Sequence, residues 1–378
     1  MKMRVFIILL FLIGCSKTVD YRPIKGNYTS SMIKDYSNIH QSFGSYLLTE
    51  PSTTNEASEI IRLAYLRGFP LRFSGSNHSQ NGNSLPKKNE ILIRSLNLNE
   101  VTFLNEHSIK VGAGVNLWYL NQHLKSLNLK LKVFNDGGAA PSLGGYISAG
   151  GISSKSRIFG GFWENVLEIT LIIKNGEILN LRKSHPLFSW VFGSMGQLGF
   201  ITSAQLEIIP VNPNKKISIP EKKIKIPKNS ESKPRRSLYW YNLFLAKDQL
   251  EKGKSELDGL KKKYSKYFRD LEIYHWPIKF KSFNPPLVFS KNESFICLGI
   301  FSLLKDQYGP EVLREIDREF FAIVQKNRFG RYIQAERDIR PEGLKILWGG
   351  GIYDKFHSLK KFYDPKSLFN QGSVFKRL

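Results

Sequence analysis

Phe73-Ser-Gly-Ser-Asn-His-Ser-Gln-Asn-Gly82 and Gly144-Gly-Tyr-Ile-Ser-Ala-Gly-Gly-Ile152 are the stretches on which the fold turns. The first is a run of small, turn-forming residues around one histidine, directly after the strand-like Pro70-Leu-Arg-Phe73. Such a loop can turn its backbone N–H groups into a concave nest for an anion. It matches neither the phosphate loop with its Lys-Ser/Thr ending nor the three-glycine dinucleotide fingerprint. Taken alone, His78 reads as an ordinary loop histidine. The second stretch is denser: eight of the 30 glycines fall between Gly137 and Gly161. Glycine lets a backbone approach a ligand closely, and Ser142, Ser148, Ser153 and Ser154 add small donors between the glycine pairs. Apolar strands on both sides favour an ordered segment that wraps something flat or phosphate-bearing over a flexible surface loop. A third piece, Gly193-Ser-Met-Gly-Gln-Leu-Gly-Phe-Ile-Thr202, puts three glycines ahead of a strand.

Outward from these loops, helix and strand patterns alternate. Thr53 and Glu56 form a capping-box pattern before a helix over Ala57–Arg67, whose Ile60, Ile61, Ala64 and Tyr65 share a face. Strands are expected at Glu90–Leu96, Ser108–Gly112 and Phe200–Ile209, and a helix at Asn116–Asn128. Val166–Ile173 and Ile178–Leu181 flank Asn175-Gly176, a strong hairpin signal. After Pro210 the composition turns Lys- and Pro-rich through residue 236, which places a boundary there. Beyond it, helices are expected near Lys247–Leu271 and Glu311–Asn327, and strands at Leu238–Leu245 and Phe295–Leu304.

The chain has 378 residues, 41% of them hydrophobic, which is enough for a packed core and excludes global disorder. Two cysteines, Cys15 and Cys297, exclude a disulfide scaffold and a Cys-rich metal site. The formal charge of +24 admits nucleic acid, an anionic membrane surface or plain solubility. The N-terminus chooses among them. Lys2 and Arg4 precede an apolar run, Val5–Ile13, that is too short to span a bilayer as a helix but suits a secretory signal. The run closes on Leu12-Ile-Gly-Cys15, which resembles the lipobox of bacterial lipoproteins. That resemblance implies cleavage after residue 14, lipidation of Cys15 and an extracytoplasmic, membrane-anchored protein in the cell envelope. Loss of Lys2 and Arg4 lowers the charge from +24 to +22. Dispersed lysine clusters outside the cytosol fit solvated faces, so no nucleic-acid partner is expected. Cys297, inside an apolar run, reads as a buried core thiol.

Several motifs then fall in one order. Arg72-Phe-Ser-Gly-Ser-Asn-His-Ser79 with Gly82, Gly144 to Ile152, Gly161, Asn165-Val-Leu-Glu168, Pro186-Leu-Phe188 and Gly193 to Thr202 are followed by Tyr363-Asp-Pro-Lys-Ser-Leu-Phe-Asn-Gln-Gly372. Together they resemble the PCMH-type FAD-binding module of the vanillyl-alcohol oxidase type, most closely cytokinin dehydrogenases. The resemblance implies an α+β fold: a two-subdomain FAD module with an inserted α+β substrate, or cap, domain. The organisation it suggests is a signal peptide over 1–14, a lipid-anchored tether over 15–42 and the FAD module over 43–212. A cap domain over 213–344 and a returning C-terminal segment over 345–378 complete it.

The same resemblance assigns residues. His78 becomes the site of covalent attachment to the isoalloxazine ring, which needs a neutral imidazole nitrogen as nucleophile. Phe73, Gly75, Ser76, Asn77, Ser79 and Asn83 would line the pyrophosphate and ring. Ser142, Ser148, Ile152 and Ile201 would continue around the cofactor, joined by Tyr332, Asn370 and Ser373. Asp136 is the candidate catalytic base, although it stands one residue further from Gly144 than the family spacing. No metal is expected. Asn77 stands where the family often has glycine, and Asn tolerates left-handed backbone better than most residues. The closing Gln371-Gly-Ser373 departs from the family's Pro-Gly-Gln. No cysteine lies near Gly138, so a second covalent link is excluded. The expected reaction is hydride transfer from a small amine or alcohol to FAD, with oxygen or a quinone as electron acceptor. A short middle region puts adenine-type substrates in doubt. The alternatives are a sugar or aldonolactone oxidase of the same superfamily and a non-catalytic lipoprotein acting as a surface-binding protein.

Overall fold

The computed structural model describes residues 22–136, 141–217, 219, 221–227, 238–309, 311–333 and 341–372; Cys15 and Ser373 lie outside them. Helix Thr54–Arg67 starts where Thr53 accepts the Glu56 N–H at 3.1 Å, and it ends on Gly68 in the left-handed region. The Glu56 carboxylate reaches back to the Ser52 N–H at 2.9 Å rather than to Thr53. Ala57, Ile60, Ile61, Ala64 and Tyr65 are all buried in the main core.

The helix connects two strands of a four-stranded sheet with the order Asn27–Thr29, Tyr46–Thr49, Ile91–Arg94, Leu71–Ser74. The last three strands are parallel. The His78 loop therefore leaves the carboxyl end of a parallel strand, where open α/β sheets bind ligands. A second sheet of seven strands is antiparallel throughout, and Phe200–Pro210 is its spine. Val166–Ile172 and Ile178–Arg182 pair as a hairpin through Asn175 (φ 59°) and Gly176 (φ 76°). A third, antiparallel sheet holds Leu238–Leu245, Phe268–Ile278, Phe295–Leu304 and Gly330–Arg331. Helices Leu250–Tyr264 and Glu311–Asn327 share a smaller core with one face of it, built on Tyr239, Tyr241, Leu257, Ile316 and Phe320.

The tether does not run to residue 42. Residues 27–29 pair with Tyr46–Leu48, and residues 33–34 pair with 41–42, because backbone that can complete a sheet edge is not left solvated. The break after Pro210 is also not where the first module ends: Lys223–Lys225 adds an edge strand beside Glu100–Thr102. The helix expected to Leu271 stops at Tyr264, and Phe268–Ile278 pairs with Phe295–Leu304 instead. Tertiary pairing overrides a weak local preference there. Cys297 is buried, its Sγ 3.4 Å from Asn242 Oδ1, and burial pushes its thiol up.

Candidate functional site

The glycine-bearing pieces converge on one cavity. In the His78 loop, a Cβ on Gly75 would sit 1.9 Å from Ser142 Oγ, so glycine is required for the two loops to touch. Ser76 Oγ accepts the Ser142 N–H at 2.9 Å. Asn77 adopts φ 56°, its side-chain amide donates to the Lys34 carbonyl at 2.6 Å, and its oxygen accepts from Ser84 Oγ at 2.6 Å. Ser79 Oγ donates to Asn81 Oδ1 at 2.8 Å and accepts the Asn83 N–H at 3.1 Å. His78 is half-buried on the cavity wall, its Nδ1 shielded from solvent and its ring stacked on Tyr36.

Met195 joins the pieces. Its carbonyl accepts from the amides of Asn83 (3.0 Å) and Asn370 (2.7 Å), and its N–H donates to the Ser148 carbonyl (3.0 Å). Asn370 Oδ1 also accepts the Phe73 N–H at 2.7 Å, while its N–H donates to the Leu71 carbonyl. Two buried ion pairs hold this frame from behind. Arg72 forks onto Glu90 at 3.0 and 2.9 Å and also donates to the carbonyls of Asn83 and Gln371. Lys360 Nζ donates to Asp364 (2.6 Å) and to the carbonyls of Gln197 and Phe369. Burial lowers its pKa, against the pull of Asp364.

The cavity holds about 1040 Å³ of atom-free space, its open mouth included. Ser142 caps a helix, Leu143–Ala149, that the glycine segment was not expected to contain; Ser148 lies on it and Ile152 follows it. These residues line the cavity, as do Ile201 at the start of the spine strand and Tyr332. Tyr332 is stacked edge-on against Trp240, and burial, then Cys297, raises its phenol. Tyr146 donates to the Ile152 carbonyl at 2.8 Å; its phenol is pushed well up by burial, with Tyr332 and Asp136 adding to it. Asp136 does not line the cavity. It is exposed beside lining residue Asn135, and its carboxylate accepts from the Ser154 N–H (2.5 Å) and Oγ (3.0 Å).

The lining residues not singled out from sequence include Tyr146, Met195 and Trp240. Strand alternation carried a signal for Trp240, since Tyr239 and Tyr241 face the helices and Trp240 must face the other way. The described lining of the cavity has no Asp, Glu, Lys or Arg and is rich in serine, asparagine and glycine. At Gly145 an added Cβ would meet only Ser142 Oγ, at 3.3 Å, so glycine leaves the space clear.

Known proteins resemble the chain over part of its length. Residues 47–182 match the family model described as FAD binding domain. Cytokinin dehydrogenase 3 of Arabidopsis thaliana is 28% identical over 185 residues, 47% of this chain and 35% of that protein. Mitochondrial D-2-hydroxyglutarate dehydrogenase of Rattus norvegicus is 25% identical over 45% of this chain and 33% of its own. Reticuline oxidase of Eschscholzia californica is 29% identical over 43% and 31%. The chain thus spans about a third of the length of these curated relatives. Residues 47–182, which match the FAD-binding model, include the His78 loop and the Ser142–Ile152 segment of the cavity wall; Met195, Ile201, Trp240, Tyr332 and Asn370 lie beyond the match.

Proposed function

We propose that this protein is a flavin-dependent oxidoreductase that holds FAD in the cavity described above and takes a hydride from a small amine or alcohol, in the manner of a cytokinin dehydrogenase. The observation that carries the reading is the convergence of the His78 loop, the Ser142–Ile152 segment and Asn370 on one cavity, the first two from the stretch that matches the FAD-binding model. FAD, when bound, supplies a two-electron acceptor. The residues of this chain bind and orient it. Gly75, Ser76, Ser79 and Ser142 offer close backbone and small donors. Ile152, Ile201 and Tyr332, which also line the cavity, would contact it. Ser373, outside the described residues, belongs to the same set by resemblance. His78 would be the attachment residue, and Asp136, next in the chain to lining residue Asn135, would hold the substrate proton by resemblance.

The names of the relatives span cytokinin, 2-hydroxyglutarate and reticuline chemistry. The aromatic end formed by Trp240, Tyr332 and Tyr146 favours a flat or apolar neutral substrate over a hydroxy acid. The sheet and helices between Leu238 and Arg331 serve as the substrate cap. Oxygen or a quinone takes the electrons. The Leu12-Ile-Gly-Cys15 motif supports a protein anchored by lipid at Cys15 on the extracytoplasmic face.

The test is spectroscopic. The purified full chain is expected to be yellow and to keep its flavin through acid precipitation, while His78→Ala releases it. Anaerobic addition of a substrate panel, isopentenyl adenine included, is expected to bleach the flavin with one member. A colourless wild-type protein defeats the central claim, and a coloured one that no substrate bleaches favours a binding role.

A further inference from the structure

Residues 34–42 form a short strap across the His78 loop, tied at every step. The Asn77 amide donates to the Lys34 carbonyl at 2.6 Å, and the Tyr36 N–H donates to the Ser79 carbonyl at 2.9 Å. Ser37 Oγ reaches the Gln80 carbonyl at 3.3 Å. Asp35, fully buried, accepts from Ser37 Oγ (2.7 Å), from His40 Nδ1 (2.9 Å) and from the Gly82 N–H (3.1 Å). At Gly82 an added Cβ would lie 3.2 Å from His40, so the strap and the loop are in van der Waals contact there as well.

The strap delivers one side chain to the site. The Tyr36 ring, 4% exposed, lies on the His78 imidazole with centroids 4.1 Å apart and planes inclined by 30°. A stack of this kind fixes the plane of the imidazole while acting on its face. Its nitrogens point along the ring edge, so the stack orients them without using their lone pairs. From this we infer that Tyr36 is a positioning residue for covalent attachment at His78, and that the strap exists to hold it there. The inference rests on the reading of His78 as the attachment residue. In that attachment an imidazole nitrogen forms a bond to the 8α methyl carbon, and a methyl C–H bond breaks with loss of its proton. The two electrons released reduce the ring system, and dioxygen reoxidises it. A nucleophile that rotates freely reaches that carbon in a small fraction of its orientations; one held in plane reaches it in most.

The experiment uses the full chain purified from riboflavin-starved cells and mixed with FAD in air. Flavin that stays with the acid-precipitated protein is measured against time, and reversible FAD binding is measured separately by fluorescence quenching. Tyr36→Phe, which keeps the stacking face, is expected to attach flavin at close to the wild-type rate. Tyr36→Leu is expected to bind FAD normally but attach it at least tenfold more slowly. Attachment by Tyr36→Leu at the wild-type rate overturns the inference. Wild-type protein that binds FAD but never attaches it overturns instead the reading of His78. Should Tyr36→Leu fail to fold, Ser37→Ala, which removes a bond within the strap to Asp35 and the strap's tie to the Gln80 carbonyl, takes its place. Slowed attachment there supports the inference, and an unchanged rate overturns it.

Discussion

Glu90→Gln removes the charge that faces Arg72 while keeping the shape of the side chain. The Arg72 side chain is 0% exposed and that of Glu90 5%, and the two share bonds of 3.0 and 2.9 Å. Breaking a buried pair from one side leaves an uncompensated charge in a poor solvent, at a cost of about 3–5 kcal/mol. The carbonyls of Asn83 and Gln371 still accept from Arg72, but neutral acceptors replace only part of a carboxylate's attraction. Urea unfolding of the apoprotein, followed by tryptophan fluorescence, is expected to shift to a lower midpoint at unchanged slope. FAD affinity is expected to fall with it, because Arg72 ties the end of the His78 loop to the C-terminal segment. Glu168→Gln is the control. Its partner Arg182 is 79% exposed, and surface pairs contribute about 0–1 kcal/mol. A Glu90→Gln loss no larger than that of Glu168→Gln would falsify the assignment of a structural role to the buried pair.

Gly75→Ala places a methyl group 1.9 Å from Ser142 Oγ, so the two loops must part; at least a tenfold loss of FAD affinity is expected in a binding titration, and normal binding would show that the loops do not pack as described. Asp136→Asn is expected to lower turnover by about 10²–10⁴-fold with flavin content unchanged, and wild-type turnover would assign the base elsewhere. The phenols of Tyr146, Tyr274 and Tyr332 are raised above their ordinary value of 10.0, mainly by burial. The unfolded chain therefore ionises first: their contribution to stability is whole below pH 10 and is lost as pH climbs from there toward the folded values. Thermal unfolding between pH 10 and 11 should fall less steeply for Tyr332→Phe than for wild type, and equal slopes would remove Tyr332 from the account.

Local chemistry made much of the fold legible. Thr53 and Gly68 bound a helix because a hydroxyl and a left-handed glycine satisfy the orphaned ends of its backbone. Asn175-Gly176 turns a hairpin because both residues tolerate positive φ. Helix Glu311–Asn327 follows the spacing of Leu313, Ile316, Phe320, Ile323 and Val324. Illegible were the segments whose state depends on a distant partner. Phe268–Ile278 is a strand because Phe295–Leu304 is beside it, and Asn27–Thr29 is a strand because Tyr46–Leu48 has an open edge.

The site divides in the same way. The sequence by itself determined which residue types stand where: His78 in a loop of small residues, glycines where backbone must come close, and asparagines able to bond in two directions. Those properties belong to single side chains and survive in any context. Only the tertiary structure decided that Asn83, Ser148 and Asn370 meet at Met195, that Asp136 stands at the rim rather than inside, and that Tyr36 lies on His78. Each of these joins residues far apart in the chain, and such contacts form only when the surrounding core is buried as a whole.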